Sequence, residues 1–418
     1  MQHTGKKFTP VLWLVLLLCV AELVVRLPYM LWAKSNSYIG YASRFQNFSI
    51  YSPNAVIFDG TMIVLMVLVA SFVAQRLVMA QAPRRPQITP LAGLGWQTYA
   101  VAGFTLLAVV FCLLTLGIQT ILENISAKRD LDEIDAGILL YIFLKASLFN
   151  HVLATLFYML YLSTRKLAHL GLAVFFGAAT ALVSIVFSQR AMLFVLGFEI
   201  VYITYLFGEL NVRKLLAYTL PIGLVLVSIG IFRSTASDGL PLGEAVLLGF
   251  DKLMMSRYFF HLGKLGCVFE WQSYSGLIDF LSFNFLVEPF APEKTIYFKE
   301  VGPLVGREVF GYSSSGVTLG LVSEFLLSFG AVLGSLFVFI SFVAIFNLER
   351  FVLARRQLPL LAFFALAKMP ILFNTSLGSY FYQFLIESAM LLPIMMGVSW
   401  VKTAPVRAIA PRAQLATA

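Results

Sequence analysis

Ten apolar runs, each close to the length needed to cross a lipid bilayer, dominate this chain of 418 residues. A membrane-spanning helix needs about 20 consecutive apolar residues. Only 12% of the residues are charged and the mean hydropathy is +0.87, whereas soluble domains are about 25% charged. The sequence therefore predicts an all-α polytopic membrane protein, with one integral membrane domain over 1–418. The predicted spans lie near 11–33, 57–80, 97–121, 136–163, 168–187, 190–208, 214–232, 317–346, 357–374 and 382–401.

The distribution of basic residues predicts the orientation of these spans. Short cytoplasmic loops carry an excess of Lys and Arg, which is the positive-inside rule. With the N-terminus inside, the external loops hold Lys34, Arg44, Lys128, Arg129 and Arg190. The cytoplasmic segments hold three times as many. We therefore expect both termini on the cytoplasmic side of the membrane. The cytoplasmic bases are Lys6, Lys7, Arg76, Arg84, Arg85, Arg165, Lys166, Arg213, Lys214, Arg350, Arg355, Arg356, Lys402, Arg407 and Arg412.

One large external segment, 233–316, separates the seventh and eighth predicted spans. From Gly243 to about Trp271 its pattern favours a helix lying in the membrane interface. Arg257, His261 and Lys264 then share one narrow face, because they are spaced i, i+4 and i+7. Such a cationic ridge suits a phosphate or diphosphate group, although basic side chains on an interfacial helix also extend to the headgroups without binding a ligand.

The end of the same segment is rich in small polar residues. Arg307 precedes the run from Gly311 to Gly316, which feeds directly into the eighth span. Exposed backbone N–H groups at a helix N-terminus can receive an anion. Most Gly/Ser turns only reverse the chain, so both interpretations of this loop stay open.

Ionisable residues inside the spans form a further pattern. Glu22 and Arg26 are spaced i, i+4, which predicts an ion pair, and Glu199 alone is expected near mid-depth. An ion at the bilayer centre costs at least about 2.5–3.5 kcal/mol. We therefore expect the others to line a polar cavity that opens on the outer side. They are Asp59, Lys145, Arg190, Arg233, Glu324, Lys368 and Glu387.

The chain contains no sequence motif for a metal, a nucleotide or another cofactor. The four histidines lack HExxH spacing, and neither a P-loop nor a GxGxxG motif opens a helix. We therefore predict that no cofactor is needed and that nucleic acid is not a partner. Chemistry driven by an activated substrate, or transport, remains.

The stretch 311–334, GYSSSGVTLGLVSEFLLSFGAVLG, resembles the segment entering a late span of Wzy-type O-antigen and exopolysaccharide repeat-unit polymerases. In that family a small polar external loop leads into a helix with a Glu and then an aromatic-Gly pair, here Glu324 and Phe329-Gly330. The Ser188-Gln189-Arg190 opening of a mid-chain span is also similar, as is the layout of ten spans with one large external loop.

The resemblance implies a membrane glycosyltransferase that acts on undecaprenyl-diphosphate-linked oligosaccharides in the outer leaflet of the bacterial inner membrane. It moves a growing glycan from its lipid diphosphate to a new lipid-linked repeat. Arg190, Arg233 and Arg257 are then the preferred diphosphate and sugar clamp, because guanidinium binds phosphate in a bidentate manner. Lys264 and Arg307 are further binding candidates.

A carboxylate or imidazole must also accept the proton of the attacking hydroxyl. Glu324 is the first candidate for this base and His261 is the second. The lipid bilayer, a chain-length regulator and a flippase are the partners that this role implies. Two rivals stay open: an O-antigen-ligase-like transferase, whose loop motif His261-Leu262-Gly263 only partly matches, and a transporter or lipid-linked-oligosaccharide flippase.

Overall fold

The computed structural model describes the membrane domain in separate ranges. They are 9–35, 53–80, 88–127, 138–186, 191–211, 320–373 and 377–401, together with short stretches and single residues between 213 and 266.

The described residues form an all-α membrane protein with one two-stranded sheet. Most of the helices consist largely of apolar residues. In chain order the elements are α1 (Pro10–Val20), a π-helix (Ala21–Arg26), α2 (Leu27–Ser35), α3 (Pro53–Met79), β1 (Leu91–Gly93), α4 (Trp96–Ala127), α5 (Ile138–Leu148), α6 (Asn150–Thr164), α7 (Leu167–Val186), α8 (Ala191–Leu206), α9 (Leu321–Ala354), α10 (Leu360–Ala367), α11 (Met369–Leu372), α12 (Leu377–Gly397) and β2 (Ser399–Trp400).

The membrane class predicted from composition is confirmed, and the count of ten spans stays a prediction. Among the described residues, six helical stretches are long and apolar enough to cross a bilayer, and two shorter apolar helices accompany them. The run near 214–232 lies largely outside the described residues. The six stretches are Pro10–Trp32, Asn54–Met79, Trp96–Gly117, Phe143–Thr164, Leu167–Val186 and Leu321–Ala354, and the shorter two are Met192–Leu206 and Gln383–Gly397.

The stretch Phe143–Thr164, which ends with α6, lies at the centre of the bundle. It is 89% buried, whereas the other five spanning stretches are 28–44% buried. It is also the least apolar of the six. A helix that faces protein rather than lipid tolerates polar side chains, since neighbouring helices can satisfy them. α7 and α8 both pack against it.

α9 is bent sharply near its start by Gly330. This residue has φ 71° and ψ −176°, a backbone region that is essentially restricted to glycine. A short helix, 321–329, therefore folds against the long segment that follows. A Cβ atom on Gly334 would lie 2.7 Å from the Phe325 carbonyl oxygen, and the rings of Phe329 and Phe337 are 4.3 Å apart. The run predicted as the eighth span, 317–346, therefore contains a bend near its start.

One end of the bundle, which we call the sheet end, is defined by the pairing of β1 with β2. Leu91 pairs with Trp400 in antiparallel register, and the Leu91 N–H donates to the Ser163 Oγ at 3.0 Å. Gly95 and Gly397 approach so closely that a Cβ on Gly95 would lie 2.9 Å from the Gly397 Cα. The sheet thus ties the C-terminal end of α12 to the start of α4 and the end of α6.

The bases that were predicted to be cytoplasmic gather at the sheet end wherever the structure describes them. Arg350 donates to the Val78 carbonyl oxygen at 3.4 Å, and the Arg356 carbonyl accepts from Thr89 at 2.7 Å. Lys34 lies at the far end of the first spanning stretch. The described bases of this group are Arg76, Arg165, Lys166, Arg213, Lys214, Arg350, Arg355 and Arg356.

Candidate functional site

Four ionisable side chains meet inside the bundle, and we call them the mid-depth cluster: His151, Glu199, Lys368 and Glu387. They come from α6, α8, the junction of α10 with α11, and α12. The first three are fully buried and Glu387 is 6% exposed. At 1.5 Å per residue they lie about 10–20 Å from the sheet end, which is near the middle of a hydrocarbon core about 30 Å thick.

His151 joins the two carboxylates of the cluster. Its Nδ1 lies 2.8 Å from Glu199 Oε1, and its Nε2 lies 3.4 Å from Glu387 Oε1. The Thr155 hydroxyl, one turn further along α6, donates to Glu199 Oε2 at 2.7 Å. Both oxygens of Glu199 are therefore engaged, which holds this carboxylate in one orientation toward the imidazole.

Lys368 completes the cluster through an ion pair with Glu387. The Nζ atom lies 2.5 Å from Glu387 Oε1. Both side chains are removed from water, so the attraction between them is screened far less than at a surface. Burying two ions is itself expensive, and the pair offsets that cost only while both partners are present.

The backbone around Lys368 places its side chain in the cluster. Lys368 has φ −82° and ψ 2°, and it ends α10 and begins α11. Pro370 follows two residues later, and proline lacks the N–H that would continue the helix and clashes with the preceding turn. The predicted span 357–374 is therefore broken at Lys368.

A further buried carboxylate, Glu349, lies closer to the sheet end. Glu349 Oε1 accepts from the Val11 backbone N–H at 3.1 Å and from the Tyr202 hydroxyl at 3.3 Å. Val11 is in the first turn of α1, where the leading N–H groups have no partner within the helix. Glu349 thus caps α1 and ties it to α8 and α9.

Glu324 lies in the first turn of the short helix 321–329, ahead of the bend at Gly330. It is 2% exposed, and every residue from Leu321 to Ser328 is buried. Because the short helix folds back beside Gly334, Glu324 lies about 30 Å from the sheet end, counting 1.5 Å per residue down α9. The base predicted from sequence is therefore buried near the end opposite the sheet, well away from the mid-depth cluster.

The described residues include only part of the site that was predicted from the sequence. The Glu22–Arg26 ion pair is confirmed, with Arg26 donating to the buried Glu22 carboxylate. Lys368 and Glu387 were expected to line a cavity open on the outer side; instead they are buried against one another. Glu199, expected near mid-depth, lies in the same cluster. The other predicted catalytic and binding residues lie outside the described residues: Arg190, Arg233, Arg257, His261, Lys264 and Arg307.

Sequence reasoning missed His151 as a member of a site. Its partners lie 48 and 236 positions away along the chain, so no local spacing connects them. One local signal was available: a histidine and, four residues later, Thr155 share one face of an apolar helix. A polar stripe on a span indicates a face turned toward protein.

The cluster combines two carboxylates, one imidazole and one ammonium group. Lys368 occupies one carboxylate as a cation, and no group of three or more metal-ligating side chains suitable for an ion occurs among the residues that the structure describes. The hydrogen-bonded order Glu199, His151, Glu387 can keep or pass a proton between fixed positions.

No family model, no characterised protein sequence and no solved structure matches this chain.

Proposed function

We propose that this chain is a membrane glycosyltransferase that polymerises undecaprenyl-diphosphate-linked oligosaccharide repeats at the outer leaflet of a bacterial inner membrane. The resemblance over 311–334 supports this proposal, as does the all-α membrane architecture. The product is O-antigen or exopolysaccharide.

The position of Glu324 is the observation that carries the proposal. The carboxylate is buried on a short helix that Gly330 folds against the next segment. Catalytic groups on rigid, packed elements keep their geometry better than groups on loops. The first turn of a helix also favours negative charge, and only an ionised carboxylate can accept a proton.

The charge distribution supports an outer location for Glu324. Eight bases gather at the sheet end in the described residues, and the positive-inside rule predicts that such an end is cytoplasmic. Glu324 is then close to the outer interface, about 30 Å away along α9. The diphosphate of a lipid-linked sugar lies at that depth.

In the proposed reaction, the hydroxyl of the acceptor repeat attacks the anomeric carbon of the growing glycan. Glu324 takes the hydroxyl proton, a new glycosidic C–O bond forms, and the bond to the lipid diphosphate breaks. Positive charge stabilises the departing diphosphate. We assign this role to the cationic clamp of Arg190, Arg233 and Arg257, assisted by Lys264 and Arg307, and we keep His261 as the second candidate for the base.

A second candidate function is a proton-coupled flippase for the same lipid-linked oligosaccharides. The mid-depth cluster favours it, because chains of Glu and His inside a membrane are typical of proton relays in transporters.

Lipid-linked intermediates in cells lacking the chain distinguish these functions. A polymerase defect leaves single repeats on the lipid carrier in the outer leaflet. A flippase defect leaves single repeats on the cytoplasmic side, and a ligase-like defect leaves long polymer on the carrier. Purified protein with synthetic lipid-linked repeats should then form a ladder of products, and failure to lengthen them under conditions that preserve folding would contradict the polymerase.

A further inference from the structure

The imidazole of His151 lies between two groups that, when ionised, can only accept hydrogen bonds. Glu199 Oε1 is 2.8 Å from Nδ1, and Glu387 Oε1 is 3.4 Å from Nε2. A neutral imidazole has one N–H and one bare nitrogen, whereas a protonated imidazole has two N–H groups. Satisfying both contacts therefore requires one proton beyond those of a neutral histidine and two ionised carboxylates.

The net charge of the cluster requires the same proton. Two carboxylates and the Lys368 ammonium leave one negative charge without compensation, and an imidazolium cancels it. A net charge in a site as buried as this one is costly. Hydrogen bonding and charge balance thus lead independently to one additional proton.

The other titratable groups on the surrounding elements do not replace it. Tyr380 of α12 donates its hydroxyl hydrogen to the Ala365 carbonyl oxygen at 2.7 Å, so it is committed to the backbone. Lys145 is on α5, near the start of the Phe143–Thr164 stretch, and His169 is near the sheet end of α7, where its ring contacts Thr164. α8 contributes Glu199, and its Tyr202 bonds to Glu349 instead.

A narrow crevice lies beside Glu387. Glu387 and Ser388 are its polar lining, between the aromatic rings of Phe149, Phe364 and Phe384. It has room for about one water molecule. Within the described residues, Glu387 Oε2 is buried and lacks a hydrogen-bond partner. A water molecule at this position would accept or deliver a proton next to the cluster.

We propose that the mid-depth cluster is a proton-binding site, which holds one exchangeable proton between its two carboxylates and exchanges it with water beside Glu387. The proton resides on His151, because the Lys368 ammonium already lies against Glu387 and disfavours protonation of that carboxylate. The inference does not depend on whether the chain is a polymerase or a flippase.

The test is a pH series on the full-length protein in lipid nanodiscs with ring-¹⁵N-labelled histidine. A variant in which His3, His169 and His261 are replaced by Gln leaves His151 as the sole histidine signal and leaves the cluster intact. We expect both ring nitrogens of His151 to carry hydrogen at about pH 7, and one of them to lose it as the pH rises. Infrared spectroscopy on the same samples detects any buried carboxylic acid.

Two variants test the electrostatic argument. Glu199→Gln removes one negative charge without touching the Lys368–Glu387 pair, so His151 should become singly protonated at about pH 7. Thr180→Val is the matched control: its buried hydroxyl donates to the Phe176 carbonyl oxygen at 2.9 Å and lines neither the cluster nor the crevice, so the His151 signal should not change.

The spectra of the wild type and of the glutamate variants decide the proposal. A doubly protonated His151 supports it, and so does a neutral His151 accompanied by a buried carboxylic acid whose infrared band is lost in Glu199→Gln or Glu387→Gln, which would place the same proton on a glutamate of the cluster. A neutral His151 at about pH 6 to 8, with no carboxylic acid band that either substitution removes, would overturn it.

Discussion

Removing one partner of the buried ion pair between Lys368 and Glu387 should destabilise the fold far more than removing one partner of an exposed ion pair. Lys368→Met removes the cation and leaves Glu387 buried, with only the 3.4 Å contact to His151. Removing one partner of a buried pair costs about 3–5 kcal/mol. Glu387→Gln should cost a similar amount, because it leaves the fully buried Lys368 ammonium without its ion-pair partner.

The double variant separates the loss of the pair from the loss of each side chain. Replacing both ions together by Met and Gln leaves no buried unpaired charge, so its stability should lie within about 2 kcal/mol of the wild type. The two single costs therefore cannot add. We expect a coupling free energy of at least about 2 kcal/mol from reversible unfolding in mixed detergent micelles.

An exposed ion pair of the same chain is the matched control. Lys214 Nζ lies 2.8 Å from Glu209 Oε2, but the side chains are 36% and 22% exposed. Solvent screens such pairs, so Lys214→Met and Glu209→Gln should each cost no more than about 1 kcal/mol. The reasoning is refuted if the Lys368 and Glu387 single costs are equally small and add within about 0.5 kcal/mol.

Three further predictions concern the Gly330 bend, the proposed base and the topology. Gly330→Ala should cost about 1–3 kcal/mol because of its positive φ and lower polymerisation by displacing Glu324, whereas Gly103→Ala, in open space on α4, should change neither thermal unfolding nor activity. Glu324→Gln should fold and bind lipid-linked repeats yet lose about 10²–10⁴-fold in polymerisation rate; more than about a tenth of wild-type activity would move the role to His261. A cysteine at Ser314 should react with an impermeant thiol reagent from outside, and one at Arg355 should not; the reverse labelling would overturn the orientation.

A fifth prediction concerns the cationic clamp, whose three arginines should not tolerate lysine. The substitution keeps the charge but removes the planar fork that binds phosphate in a bidentate manner. Polymer yield should fall sharply while the amount of protein in the membrane stays constant. Full-length polymer at normal rates from all three variants would exclude these arginines as the clamp.

Features set by short-range sequence were predictable. The spans follow from runs of apolar residues, and the Glu22–Arg26 pair follows from i, i+4 spacing, since one helical turn brings such side chains together. The break at Lys368 also had a local signal in Pro370, because proline interrupts a helix. Treating 357–374 as one continuous span overlooked it.

The bend at Gly330 and the mid-depth cluster were not predictable in the same way. Glycine occurs often in membrane helices, so its presence does not distinguish a positive φ from ordinary helix. The cluster brings together residues from four elements, and its geometry depends on tertiary packing. Counting residues along each predicted span indicates that Lys368 and Glu387 lie at similar depths in the membrane. This count cannot show that their side chains face each other.

The polarity of a span, compared with that of the other spans, indicates which span is enclosed by protein and could carry a buried polar cluster. The side of a helix that faces lipid must be apolar, because unpaired polar groups in hydrocarbon are expensive. A helix enclosed by other helices escapes that requirement. The least apolar of the six spanning stretches, Phe143–Thr164, is also the most buried, and it carries His151 and Thr155. A histidine on such a span therefore lies where other spans can supply its hydrogen-bond partners. The candidate partners are the acidic and basic residues predicted at the same depth in the other spans.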